Sequence, residues 1–197
     1  MIPKPGIYFD ATSALRSPLG RRALFLDRDG VINIDHGYVC SSERTDWVDG
    51  IFEVCAKAQS LGYRLIVVTN QAGIARGYYS ELDLLAYTRW VHSSFLKRGV
   101  RLEATIYCPH HPTSGEGHLR TVCNCRKPAP GMLRTAQVLL GIDLSESALI
   151  GDRPTDIEAG YAAGIGRLYQ LGSSQAGLAP GTIVRQTLIQ VSGELDS

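Results

Sequence analysis

Apolar residues along the 197-residue chain gather in short runs that alternate with stretches of helical period. Ala23-Leu24-Phe25-Leu26 is a continuous apolar run that stops at Asp27, the pattern of a strand buried on both faces. Tyr63–Asn70, rich in β-branched residues, repeats it, as do the shorter Leu102–Tyr107, Ser147–Ile150 and Arg167–Leu171. Between these runs, Ile51, Val54, Ala58 and Leu61 recur at steps of three and four ahead of Gly62, which predicts a helix of about three turns. Leu84, Tyr87, Val91 and Phe95 line a second helix, opened by Ser80 and Asp83 as a capping box and ending near Gly99. Leu133, Ala136 and Leu140 line a third between Pro130 and Gly141, and a fourth runs from Pro154 to Ala163 ahead of Gly164. Strands alternating with helices predict an α/β fold, a parallel sheet flanked by helices and joined by right-handed crossovers.

Two segments fall outside this alternation. Residues 1–20 carry Pro3, Pro5, Gly6, Pro18 and Gly20 without apolar period and read as a surface extension, leaving residues 21–197 as a single domain. Ile34-Asp35-His36-Gly37-Tyr38-Val39 is polar and aromatic around a glycine, too irregular for a strand and placed to form a flap. Gly73–Gly77 reads as a glycine-flanked loop.

Composition narrows the class. With 44% hydrophobic and 20% charged residues, one sizeable core is expected. The formal net charge of +1 provides no global field for nucleic acid or an anionic membrane, so neither is expected as a partner. No apolar stretch reaches about 18 residues and no signal core opens the chain, which predicts a soluble, cytoplasmic protein, read here as a monomer.

The candidate chemistry sits where strands stop. Asp27 and Asp29 follow the first strand, Thr69 ends the second, Arg126 and Lys127 lie beyond the third, and Asp152 follows the fourth. In a parallel sheet these tips converge on one edge, where ligands bind. Val31 occupies the place of the third ligand that a calcium loop after Asp27 and Asp29 would need. Carboxylates, a hydroxyl and two cations together are what phosphoryl transfer requires. Mg²⁺ takes oxygen ligands, cations face the equatorial oxygens, one aspartate can act as nucleophile and a second as acid and base.

A second cluster is made of Cys108-Pro109-His110-His111 and Cys123-Asn124-Cys125. Cys108, His110, Cys123 and Cys125 form a Cys₃His set suited to structural zinc, with His111 or His118 as alternatives to His110 and iron as an alternative metal. The loop 108–125, with Gly115 and Gly117 and few apolar residues, needs such a metal for order. Because Arg126 and Lys127 follow Cys125 directly, the metal would anchor both cations.

Asp27-Arg28-Asp29-Gly30-Val31-Ile32-Asn33, Thr69, Lys127 and Asp152 in this order resemble the motifs of haloacid dehalogenase-like phosphatases. The resemblance covers nearly the whole chain after residue 22. It implies a Rossmann-like domain with no large cap, only the flap, the loop after the second strand and the zinc loop. It also implies a Mg²⁺-dependent phosphatase working through an aspartyl-phosphate, with Asp27 as nucleophile and Asp29 as acid/base. Thr69, Arg126 and Lys127 would stabilise the transition state, and Asp27, Asp29 (through its carbonyl) and Asp152 would hold magnesium. Implied substrate contacts are Asp35, His36, Gly37, Tyr38, Asn70, Gln71, Ala72 and Arg153, the last standing where lysine is usual. The implied substrate is a sugar bisphosphate, with Arg76 and Arg126 for its second phosphate. Histidinol phosphate is the alternative, disfavoured by the twelve residues between His110 and Cys123. A non-catalytic, zinc-stabilised binding module is the reading of a different class. The functional residue types at every motif and a loop poor in basic and aromatic residues argue against it.

Overall fold

The computed structural model describes residues 4–9, 20–172 and 178–196. Among them, the strands Gly6–Phe9 (β1), Ala23–Leu26 (β2), Arg64–Asn70 (β3), Leu102–Cys108 (β4), Ala148–Gly151 (β5), Arg167–Leu171 (β6) and Thr182–Arg185 (β7) form one sheet. Its order is β1-β4-β3-β2-β5-β6-β7, and every pairing is parallel except β1 against β4. The apolar run that ends at Asp27 is therefore the central strand, and all four of its residues have no exposed surface.

Alternation along the strands feeds two cores. Leu24, Leu26, Leu65 and Val67 face the helices Ile51–Ser60 (α1), Glu81–Leu96 (α3) and Leu188–Ser192 (α6). Ala23, Phe25, Ile66 and Val68 face Gly131–Leu140 (α4) and Pro154–Ala163 (α5). This is a three-layer α/β fold, as periodicity predicts, and truncating a core side chain such as Phe25 would cost about 3–5 kcal/mol.

Three departures from the sequence reading are local. Gly6–Phe9, expected within a surface extension, pairs antiparallel with Ala104–Tyr107, because β4 offers an edge whose backbone groups need partners. Of that expected extension, residues 1–3 and 10–19 lie outside the described residues. Ala72–Ala75 is a turn of helix (α2) within the expected loop, buried at Gly73, Ile74 and Ala75. Beyond Leu171, β7 extends the sheet and α6 packs on α1.

Candidate active site and metal centres

The register of the parallel strands places the chemistry. The Asp27 N–H donates to the Ile150 carbonyl, so the tip of β2 lies beside the tip of β5 and Asp152. On the other side Asn70 lies opposite Cys108, so the cysteine loop leaves β4 beside Thr69 and Gln71. Gly30, at φ +91°, completes the fit, since a Cβ there would lie 2.2 Å from Asp152 Oδ2.

Asp27, Asp152 and Asp156 bring carboxylate oxygens within 4.8 Å of one another. Asp152 Oδ1 is buried without a hydrogen-bond partner, an orphaned acceptor that a cation would satisfy. Burial, then Asp156, pushes Asp27 up to about 7 against the pull of Lys127, and burial pushes Asp152 up to about 6. Oxygen donors carrying excess negative charge fit Mg²⁺. The side chain of Asp29 is not part of this cluster.

Lys127 is buried between two of these acids. Its Nζ lies 2.9 Å from Asp27 Oδ1 and 2.7 Å from Asp156 Oδ1, and it donates to the Val68 carbonyl at 2.9 Å. Burial alone would lower its pKa, but Asp27 and Asp156 together hold it above the ordinary lysine value. Asn70 fixes the backbone there: the Lys127 N–H donates to Asn70 Oδ1 (3.0 Å), and Asn70 Nδ2 donates to the Lys127 carbonyl (3.1 Å).

Asp29 is gripped separately. The buried Arg28 guanidinium donates to both its oxygens, with Nη2 2.7 Å from Oδ2, and also to the Val39 carbonyl at the end of the flap. Asn33 Nδ2 (3.0 Å) and Gln71 Nε2 (3.3 Å) donate as well. Gln71 Nε2 further donates to Thr69 Oγ1 (2.9 Å), and the Tyr79 hydroxyl donates to Gln71 Oε1 (2.6 Å).

Asp27, Asp29, Thr69, Gln71, Tyr79, Lys127 and Asp156 line a cavity of about 630 Å³, whereas Asp152 is not among its lining residues. Of the residues expected from sequence, Asp27, Asp29, Asp35, Gly37, Tyr38, Thr69, Asn70, Gln71, Ala72, Arg76, Arg126, Lys127 and Arg153 line it. Asp35 accepts from Arg153 Nη2 (2.7 Å), tying the flap to the start of α5. Tyr38, at φ +52°, meets Tyr78 edge to face at 4.5 Å. His36 is not among the cavity-lining residues; its Nε2 pairs with Asp46 at 2.7 Å. Sequence reasoning missed Tyr79, His111, Pro154, Thr155 and Asp156 as cavity residues. For Asp156 the available signal was its position four residues beyond Asp152, at the third residue of α5, where it also accepts from the Arg153 N–H.

The second cluster is compact. The sulfurs of Cys108, Cys123 and Cys125 lie 3.3–3.5 Å apart, and His110 Nδ1 lies 3.6 Å from Cys108 Sγ and 3.4 Å from Cys125 Sγ. Three thiols and one imidazole nitrogen converging on one point fit a closed, four-ligand zinc site. His111 and His118 are outside the cluster.

Comparison with known proteins places this geometry. A HAD-hydrolase-like family model matches residues 124–180. The D-glycero-beta-D-manno-heptose-1,7-bisphosphate 7-phosphatase of Vibrio cholerae is 42% identical over 177 residues, 88% of this chain and 95% of the relative. The D-glycero-alpha-D-manno-heptose-1,7-bisphosphate 7-phosphatase of Burkholderia mallei is 46% identical over 167 residues, 83% of this chain and 88% of the relative. The D,D-heptose 1,7-bisphosphate phosphatase of B. bronchiseptica, solved with magnesium and phosphate, superposes with a TM-score of 0.78 at 30% identity, covering 88% of this chain and 97% of that one. The sheet, the strand-tip carboxylates and identity sustained over nearly full-length relatives lead to one conclusion: the chain belongs to the D-glycero-D-manno-heptose-1,7-bisphosphate 7-phosphatase family of haloacid dehalogenase-like hydrolases.

Proposed function

We propose that the protein is a Mg²⁺-dependent phosphatase that removes the 7-phosphate of D-glycero-D-manno-heptose 1,7-bisphosphate, a step on the way to activated heptose. The observation that carries this reading is the buried Lys127 ammonium joining Asp27 and Asp156 in a cavity that Arg76, Arg126 and Arg153 also line. The carboxylates and Lys127 can perform phosphoryl transfer, while Arg76 and Arg126, which line the same cavity, can receive a second phosphate.

Asp27 is the nucleophile. An oxygen of its carboxylate attacks the 7-phosphorus, the bond from phosphorus to the sugar oxygen breaks, and an aspartyl-phosphate remains. Asp29 protonates the departing sugar oxygen, then takes a proton from the water that cleaves the aspartyl-phosphate. Arg28, Asn33 and Gln71 set the position of its carboxylate. Lys127 and Thr69 face the oxygens of the transferring group. Asp27, the Asp29 carbonyl, Asp152 and Asp156 would hold the magnesium, which supplies positive charge against the crowded carboxylates and the phosphate. Gly37, Tyr38, Gln71, Ala72 and the Asp35–Arg153 pair enclose the sugar, and Arg76 and Arg126 face its second phosphate.

Zinc in the Cys108, His110, Cys123 and Cys125 cluster would fix the loop that ends in Arg126 and Lys127. Three free thiols at such separations persist in a reducing compartment, in keeping with a cytoplasmic enzyme. Among the described residues no helix is long and apolar enough to cross a membrane.

Steady-state phosphate release in Mg²⁺ tests the reading, with both anomers of the heptose bisphosphate and histidinol phosphate as substrates and Asp27→Asn as the blank. One heptose anomer is expected to lead histidinol phosphate by about a hundredfold or more in kcat/KM, roughly 2.7 kcal/mol of discrimination. A lead for histidinol phosphate would overturn the substrate, and no release from any of them would overturn the activity.

A further inference from the structure

His111 belongs neither to the zinc cluster nor to the catalytic groups, yet it lines the cavity between two arginines. Its backbone is fixed on both sides: the His111 N–H donates to the Leu119 carbonyl (2.9 Å) and the Thr121 N–H donates to the His111 carbonyl (3.0 Å). Its ring Nδ1 faces the backbone N–H groups of Thr113 (3.2 Å) and Ser114 (3.0 Å), and its Nε2 lies 3.1 Å from Arg76 Nη2. The two amides and the guanidinium are obligate donors, and the Thr113 hydroxyl, 3.4 Å from Nδ1, can donate as well. An imidazole has at most one acceptor nitrogen, so it cannot satisfy donors at both ends.

The two amides decide which end accepts. They are held by the loop, whose Gly115 packs so closely on α2 that a Cβ would lie 2.5 Å from the Ala75 carbonyl. Arg76, by contrast, is the exposed end of a long side chain. Nδ1 is therefore the acceptor and Nε2 carries the hydrogen, so Nε2–H and the Arg76 guanidinium confront each other as two donors. An acceptor placed between them satisfies both. Arg126 lines the same cavity, and among the described residues neither arginine is paired with a carboxylate.

We propose that His111 is a specificity-determining residue, whose Nε2–H joins Arg76 and Arg126 in binding the second phosphate of the sugar bisphosphate. The proposal rests on the substrate reading above and adds a residue to it. A neutral donor fixed by backbone contacts gives direction to a site whose other members supply mainly charge.

The test is phosphate release by the parent enzyme, His111→Ala and His111→Gln with heptose 1,7-bisphosphate and with heptose 7-phosphate, alongside bound zinc content. The ratio of kcat/KM for bisphosphate over monophosphate is expected to fall roughly tenfold or more in His111→Ala, chiefly through KM. It is expected to recover largely in His111→Gln, whose amide N–H reaches about where Nε2 does. A parent with no preference for the bisphosphate refutes the substrate reading and this proposal together. A parent that prefers it, with the ratio retained in His111→Ala, refutes the role of His111 alone. An equal loss on both substrates with lowered zinc content makes His111 a structural part of the loop and overturns the proposal.

Discussion

The two candidate metal centres are built on opposite plans. The carboxylate cluster gathers Asp27, Asp152 and Asp156 from the tips of neighbouring central strands and the first turn of α5, on a frame already rigid through two packed cores. The thiol cluster gathers Cys108, His110, Cys123 and Cys125 largely from one loop, whose Gly117–Leu119 turn buries no residue. In the first, the fold holds the ligands and the metal serves chemistry. In the second, the metal would hold the fold and serve chemistry only through Arg126 and Lys127 next in the chain.

Removing each metal should break the comparison most sharply. Omitting Mg²⁺ from zinc-loaded protein is expected to lower turnover by at least about 10³-fold while far-ultraviolet circular dichroism stays unchanged. If helicity were lost with turnover, the carboxylate centre would be a structural one. The second effect concerns the loop. Cys125→Ser is expected to release zinc, lower kcat/KM about a hundredfold and lower Tm by about 5–10 °C, corresponding to a loss of about 2–3 kcal/mol. Full activity without zinc would show that Lys127 is held by Asn70 and the buried acids alone.

A third effect sits between the centres. Arg28→Met leaves the partly buried Asp29 without its bidentate partner and should cost about 3 kcal/mol in urea unfolding. Arg28→Met with Asp29→Asn should recover part of that loss, and strict additivity of the two substitutions would show that the pair is not coupled.

The smallest effect is one of pH. In metal-free protein Asp27 and Asp152 sit at about 7 and about 6, raised above their unfolded value, so the folded state binds more protons and stability falls as pH rises from about 4 to 7. Magnesium compensates the ionised forms only, so it should raise Tm by more at pH 8 than at pH 5. A shift independent of pH would remove these carboxylates from the metal site.

What the sequence revealed follows the same division. The strand tips were legible because buried parallel strands write continuous apolar runs and polar residues end them, which located Asp27, Thr69 and Asp152 without a view of the sheet. Cysteine spacing likewise located the three thiols, while the choice of His110 over His111 and His118 came only with the structure that brings the four together. Asp156 escaped because its role depends on a helix start folding it back onto Lys127. β1 escaped because four residues beside prolines carry little periodicity, and their order comes from a strand almost a hundred residues away. His36 entered as a contact implied by resemblance, and only the flap's path shows its ring paired with Asp46. The hydrogen on His111 is legible only from the contacts at both nitrogens.

The spacing of the ligands along the chain also sets a timetable for synthesis. The sulfur and imidazole ligands span residues 108–125, so they can meet once Cys125 has left the ribosome and β3 and β4 have paired. The carboxylates span residues 27–156, and β2 waits for β5 to complete its second edge. A metal held by the thiol cluster could thus bind while the phosphatase site is still open, and the enzyme becomes competent only as the last quarter of the polypeptide emerges.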